Sequence, residues 1–261
     1  MRKKYTQKAT NSTYHIYGIH TCIAALENPK RKIDKILCNE SIFKKYNSVM
    51  SKHNHEIVDN QDLLKIANSS QHQGILIKTS PLIQMRLEYL NYNKPNLKIA
   101  ILDQITDPHN VGAIIRSASC FHIDAIITPK DNAVTENATI AKTACGALEQ
   151  IPMIQVVNLR SCLQYLKKQG LWIVGFDCNR SDAKDNRKQT ICSLKELPEK
   201  VFNGNDNTQM NIAMIFGSEE KGIRPIITKE CDYLTSIPIS LKTNSLNVSN
   251  ASAIGFYAMT R

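Results

Sequence analysis

The chain has 261 residues, 42% of them hydrophobic, which is enough for one large domain or two unequal ones around a sizeable core. No apolar run reaches the roughly 18 residues of a membrane span, and the basic start MRKKYTQKATNS leads into no apolar stretch, so neither a span nor a secretory signal is expected. The net charge of +10 is concentrated at the front, where residues 1–80 carry 13 Lys and Arg against 6 Asp and Glu; a polyanion such as RNA is the natural partner, against the plainer reading of a solubilising lysine surface.

Residues 1–13 read as a flexible basic tail. From Tyr14 to about Ser80 the pattern is a small α/β unit. It has helices over 18–27, 41–53 and 60–67 and strands over 32–38, 56–58 and 74–77. Lys30, Arg31, Lys32, Lys44 and Lys45 fall at element ends, where side chains can reach a phosphate backbone. Residues 81–97, with Pro81, Pro95 and several Asn, read as a linker with one helical turn around Met85–Leu90.

From Lys98 to Arg261 strands and helices alternate. Strands are predicted over 98–102, 125–128, 154–157, 171–176, 212–216 and 236–239, and helices over 110–121, 138–149, 159–169 and 249–260. Such alternation means an α/β fold with a mostly parallel sheet covered on both faces, whose ligands sit beyond the carboxyl ends of the strands. The polar stretches Asp103–Asn110, Gly217–Gly222 and Lys242–Asn247 fall there. Residues 178–190 and 202–211 read as polar inserted loops. The eight cysteines lack C-x-x-C spacing and mostly lie among apolar residues, the usage of buried thiols in a reducing compartment and not of a zinc or disulfide framework.

In the first polar stretch a helix starts near Asn110, which could serve only as its N-cap. Arg116 is the lone charge between Val111 and His122, and a cation in an apolar helix needs a partner or a task. The second stretch, IAMIFGSEEKG over 212–222, runs a strand into a glycine turn with open backbone amides. It has neither G-x-G-x-x-G nor G-K-[ST], so a dinucleotide oxidoreductase or an ATP site loses support. Glu219 there is either a solvated turn carboxylate or an anchor for Arg116 or another cation. In the third, extended geometry sets Ser245 and Asn247 on one side and Leu246 and Val248 on the other. The helix that follows, capped by Ser249 or Asn250, is apolar nearly all round (Ile254, Phe256, Tyr257, Met259) and should be buried by the rest of the fold, a second subunit, or both.

These motifs carry a resemblance. Asn110-x-Gly112-x-x-x-Arg116, Gly217-x-Glu219-x-x-Gly222, Ile237-Pro238 and Ser245-Leu246-Asn247-Val248-Ser249 resemble, in order, the motifs of the SpoU (TrmH) family of RNA ribose 2′-O-methyltransferases. Lys142-Thr143-Ala144-Cys145-Gly146-Ala147 resembles that family's small-residue helix, a packing element. Tyr17-Gly18-Ile19-His20 and His72-Gln73-Gly74 resemble the substrate-binding domain attached to many members, which is similar to ribosomal-protein RNA binders. The resemblance implies a SPOUT catalytic domain with a C-terminal trefoil knot, and S-adenosylmethionine held by Gly217, Ile237 and Leu246, chiefly through their backbones. It implies Arg116 as the catalytic residue with Asn110, Glu219, Ser245 and Asn247 around it, no metal, and a cytoplasmic homodimer. The extra N-terminal domain is most like enzymes that methylate a guanosine of large-subunit (23S-type) rRNA; a tRNA guanosine enzyme, or a non-catalytic RNA-binding or ribosome-assembly protein, is the alternative. The sequence departs from the family pattern at Glu220 and at Ile239-Ser240-Leu241.

Overall fold

The structure, a computed structural model, describes residues 13–177, 190–203, 211–240, 242 and 245–260. The basic tail and nearly all of the two polar inserts lie outside the described residues. In chain order the elements are β1 (Tyr14–Tyr17), α1 (Ile19–Glu27), β2 (Ile33–Cys38), α2 (Glu40–Met50), β3 (His55–Ile57), α3 (Asn60–Ala67), β4 (Ile75–Thr79), β5 (Lys98–Asp103), α4 (Pro108–Cys120), β6 (Ala125–Pro129), α5 (Ala138–Ala144) and β7 (Met153–Val156). There follow α6 (Leu159–Lys168), β8 (Trp172–Phe176), β9 (Thr190–Ser193), α7 (Leu197–Asn203), β10 (Ile212–Gly217), α8 (Pro225–Thr228), β11 (Tyr233–Ser236) and α9 (Val248–Ala258). They divide into two compact units, residues 1–83 with 136–149, and residues 84–135 with 150–261.

The first unit carries a four-stranded sheet in the order β1-β4-β2-β3, with β4 antiparallel to β1 and β2, and β3 parallel to β2. Its helices start where short polar side chains satisfy open amides: Asn39 accepts from Ile42 N at 2.9 Å to begin α2, and Asp59 from Asp62 N at 2.8 Å to begin α3. Ile16, Ile36, Ile75, Leu76 and Ile77 of the strands, with Cys22, Ala25, Met50 and Leu63 of the helices, are fully buried.

Arg31 overturns an expectation. Its side chain is wholly buried, donating to Glu136 at 2.5 Å, to Ser80 O at 3.1 Å and, through Nε and Nη2, to both oxygens of Glu149. Asn28 Nδ2 donates to Glu149 at 2.7 Å, and the Tyr14 hydroxyl donates to Glu136. Burial alone would pull the Arg31 guanidinium down, but the hydrogen bond to Glu149 and the charges of Glu136 and Glu149 outweigh it and hold the proton more tightly than usual. Burial and the Glu136 charge push the Tyr14 hydroxyl up. Arg31 is therefore a paired interior charge and not a side chain that can reach RNA. The predicted helix over 138–149 also breaks: Cys145 (φ +52°) and Gly146 (φ +90°) turn left-handed, and an added Cβ on Gly146 would lie 2.9 Å from Ala24 Cβ, so only glycine fits that turn against α1.

In the second unit the described strands form one parallel sheet, β7-β6-β5-β10-β8-β11-β9. Strands β5, β6 and β10 are buried at every residue, as a parallel sheet covered on both faces requires. One face packs Ile99, Ile101, Ile127, Ile173 and Ile215 against Leu163 and Leu166 of α6 and Ile227 of α8. The other carries the stacked rings of Phe176 and Phe216, 4.8 Å apart, with Phe256 of α9 edge-on to Phe216 at 5.4 Å. Helices α4 and α9 pack together there, Phe121 meeting Tyr257 edge-on at 6.1 Å.

Two expectations shift. The strand expected at 236–239 lies at 233–236, because β11 has neighbours on both sides and Pro238, lacking an N–H, cannot enter such a ladder. Helix α9 is not buried all round within its own chain: Val248, Ser252, Gly255 and Phe256 are inside, while Ile254 is 38% and Tyr257 60% exposed.

Candidate active site

The site forms at the carboxyl ends of β5, β10, β8 and β11, which lie side by side in the sheet. From β5 the chain order runs outward through β6 and β7 on one side, while β10 and β8 lie on the other, so the order reverses there; such a reversal opens a crevice beyond the strand ends. At the end of β5, buried Asp103 accepts from Arg224 N at 3.0 Å and Nε at 2.8 Å, fixing the start of α8.

The turn after β10 can be built only with glycine. Gly222 N donates to Ser218 O at 2.9 Å, folding the loop back on itself. A Cβ on Gly217 would lie 2.1 Å from the Gly222 carbonyl carbon, and Gly222 is left-handed at φ +63°. The backbone of 217–222 therefore comes to the edge of a cleft, with Gly217 packed under the Gly222 backbone and the Asp177 carboxylate lying against Gly222. Behind an open mouth the cleft is narrow in this structure, about 70 Å³. Its apolar wall is Phe176, Phe216, Ile237, Ile239, Leu246 and Val248, and its polar groups include Asp177, Ser218, Glu219 and Ser245. Gly217, Ile237 and Leu246, three residues far apart in sequence, thus line one cleft with Glu219 and Ser245.

Asn110 and Asn247 join it through Glu219. Glu219 Oε1 accepts from Asn110 Nδ2 at 3.0 Å and Asn247 Nδ2 at 2.7 Å, with a longer contact of 3.4 Å from Val248 N. Asn247 Nδ2 also donates to Asn110 Oδ1 at 3.0 Å, closing a ring of three side chains. The local folding explains the geometry. Helix α4 begins at Pro108 and is capped by Asp107, which accepts from His109 N at 2.9 Å, so Asn110 is free of the capping task and projects from the first turn. Asn247, not Ser249 or Asn250, caps α9: its Oδ1 accepts from Ser249 N at 2.9 Å, which turns its amide nitrogen toward Glu219. The positive end of α9 thus faces the Glu219 carboxylate, a favourable placement.

Arg116 sits in the middle of α4, about 9 Å along the helix from Asn110, on its exposed side, while Val111, Ile114, Ile115 and Ala118 face the core. Exposure removes the need for a compensating partner, and among the described residues it has neither an ion pair nor a hydrogen bond. The expected anchor, Glu219, is taken by the two asparagines. In the first unit Lys30 and Lys32 are exposed; Lys44 and Lys45 are exposed too, but in the middle of α2, where Lys44 pairs with Glu40 at 2.7 Å and Lys45 lies over the Tyr46 ring. Among the described residues no group of three His, Cys, Asp or Glu is arranged to hold a metal, and no helix is long and apolar enough to cross a membrane. Phe176 and Asp177, which also line the cleft, belong to none of the motifs; both stand at the carboxyl end of a predicted strand, where ligands of such sheets sit.

A parallel sheet with a glycine-turn cleft at its reversal point and a polar ring at the mouth defines an α/β enzyme, and residues 98–257 match the SpoU rRNA Methylase family. The chain belongs to that family, and residues 15–85 match the RNA 2'-O ribose methyltransferase substrate binding domain. It is 32% identical to the 23S rRNA (guanosine-2'-O-)-methyltransferase RlmB of Pasteurella multocida over 95% of this chain and 97% of that one. It is also 32% identical to the RlmB of Coxiella burnetii, over 94% of each chain. Among solved structures, an AdoMet-bound rRNA methyltransferase from Sinorhizobium meliloti shares the fold with a TM-score of 0.75, at 16% identity, over 95% of this chain and 86% of that one.

Proposed function

We propose that the protein methylates a ribose 2′-hydroxyl of a guanosine in 23S-type ribosomal RNA, with S-adenosylmethionine as methyl donor. The observation that carries this reading is the ring of Asn110, Glu219 and Asn247 at the mouth of the cleft lined by Gly217, Ile237 and Leu246. The cleft suits the donor: an apolar wall for an adenine ring, Ser218 and Ser245 for its polar edges, and carboxylates against a cation. When bound, the donor supplies an electrophilic methyl group on a positively charged sulfur.

The chain's own residues have the harder half of the task. A ribose hydroxyl is a weak nucleophile until its proton leaves. A guanidinium does not lose its own proton near neutral pH, so the role of Arg116 is to stabilise the developing alkoxide, with the proton passing to a phosphate or water. Asn110, Asn247 and Ser245 position the ribose, and Glu219 holds the two asparagines in register. Lys30, Lys32, Lys44 and Lys45 supply positive charge toward the RNA backbone. The reading includes a C-terminal trefoil knot in the catalytic domain, a homodimer that covers the exposed stripe of α9, and a reducing cytoplasm that suits the buried thiols.

The test is direct. The protein and labelled donor are incubated with unmodified 23S rRNA and with tRNA, and ribose methylation is mapped. Label on one 23S guanosine is expected; label on tRNA alone moves the substrate, and label on neither favours a non-catalytic RNA-binding protein. In the same assay Arg116→Ala should lower the rate about 100-fold or more, with an unchanged melting temperature. A folded Arg116→Ala variant that methylates near the wild-type rate removes the assigned role.

A further inference from the structure

Strands β5 and β10 end side by side at the cleft. In their ladder Asp103 is the register partner of Gly217, so the carboxylate stands next to the residue from which the turn of 217–222 departs. Asp103 is fully buried, and both its oxygens are taken by one residue: Oδ2 accepts from Arg224 N at 3.0 Å, and Oδ1 from Arg224 Nε at 2.8 Å and Nη2 at 2.7 Å. Arg224 follows the turn by two residues. Gly217 packs so closely under the returning chain that an added Cβ would lie 2.1 Å from the Gly222 carbonyl carbon and 2.3 Å from Ile223 N. The turn is therefore closed at its base: it leaves beside Asp103 and is tied back to Asp103. Within it Ser218 and Glu219 reach the cleft, and Glu219 holds Asn110 and Asn247. Asp103 is also the last residue of β5, from which the chain runs to Asn110, so one carboxylate joins the two segments that supply Asn110 and Glu219.

Stability does not call for this pair. Ion pairs taken out of water are weak evidence for stability, since an apolar pair of the same size often does as well. The backbone of Arg224 is also held without its side chain, its carbonyl accepting from Ile227 N and Thr228 N at 2.9 Å each. What the side chain adds is direction, because several charge-assisted donors on one carboxylate fix distance and angle together. We propose that Asp103 and Arg224 are positioning residues that latch the turn of 217–222 in the shape that receives the methyl donor. The proposal rests on the methyltransferase reading. Neither residue is among the described residues lining the cleft, so the latch acts through Gly217, Ser218 and Glu219 and not by contact with the donor.

The experiment is calorimetric binding of S-adenosylmethionine, with 23S rRNA binding and melting temperatures recorded alongside, for the full-length wild type, Arg224→Met, and Asp103→Asn combined with Arg224→Met. Arg224→Met leaves a buried carboxylate uncompensated and should melt lower; the double variant removes that charge and should melt nearer to the wild type. Donor affinity should not follow the melting temperature. Both variants are expected to bind S-adenosylmethionine about fivefold or more weakly, as the loss of one hydrogen bond implies, with RNA affinity within about twofold of wild type. Recovery of donor affinity together with melting temperature in the double variant reduces the pair to a structural one and overturns the proposal. So does wild-type donor affinity in a folded Arg224→Met, or an equal fall in donor and RNA affinity. If Arg224→Met does not fold, the double variant and Arg224→Lys, which keeps the charge without the planar guanidinium, decide on the same terms. Wild-type protein that binds RNA but no donor overturns the methyltransferase reading instead.

Discussion

Glu219 shows how much one acceptor atom can organise. Its Oε1 takes hydrogen bonds from two side-chain amides, and those amides also bond each other. A glutamine could turn its one oxygen to Asn110 and Asn247 as Glu219 turns Oε1, whereas an alanine removes the acceptor altogether. Glu219→Ala should therefore lower the methylation rate about 100-fold, leaving the melting temperature within a few degrees, because the ring is exposed at the cleft mouth and not part of the core. Single-turnover rates beside a thermal melt measure both. At this scale the residue types were legible before the structure, since Asn110, Glu219 and Asn247 stand in recognisable motifs. Their partnership was not: an acidic turn residue is expected to seek a cation, and Arg116 was the nearest candidate. What spacing could not reveal is that Asp107 and Pro108 start α4 two residues early, releasing Asn110 from capping, or that Asn247 both caps α9 and donates to Glu219.

Elements were legible where burial left one choice. β5 and β10 are continuous apolar runs, and no other element accommodates such runs at that length between polar turns. Their ends moved where a single residue forbids continuation, Pro238 after β11 and Gly146 after α5. Short elements with mixed composition, such as β1, β9 and α8, gave no periodicity to read. Nor did any composition break mark residues 136–149 as packing in the first unit, because what holds them there is a long-range ion pair. Arg31, read from its basic neighbours as a surface cation, clamps Glu136 and Glu149 instead. Removing one partner of a buried charge cluster leaves the others uncompensated. Arg31→Met should cost about 3–5 kcal/mol in urea unfolding, and adding Glu136→Gln with Glu149→Gln should restore a large part of that loss. A single variant of wild-type stability would mean that the cluster is dispensable.

At the scale of the whole molecule the open question is what covers α9. Asn250, Ile254 and Tyr257 recur at helical spacing along one stripe of it, all exposed, while the opposite stripe of Val248, Ser252, Gly255 and Phe256 is sealed against the sheet. Large apolar side chains scattered singly on a surface mean little, but Ile254 and Tyr257 lie one turn apart on one exposed face of the same helix, with helix α4 packed beside it. A two-fold homodimer would set this stripe against its own copy, the self-complementary arrangement that most soluble oligomers adopt. The expected outcome is a dimer of wild-type protein in sedimentation at micromolar concentration. Ile254→Lys with Tyr257→Lys should shift it toward monomer, because each substitution sets a like charge against its own image across the two-fold axis. Both positions face outward, so the monomer itself should stay folded with a similar circular dichroism spectrum. A wild-type protein that sediments as a monomer at that concentration removes the dimer, and with it the reason for an apolar stripe on the last helix.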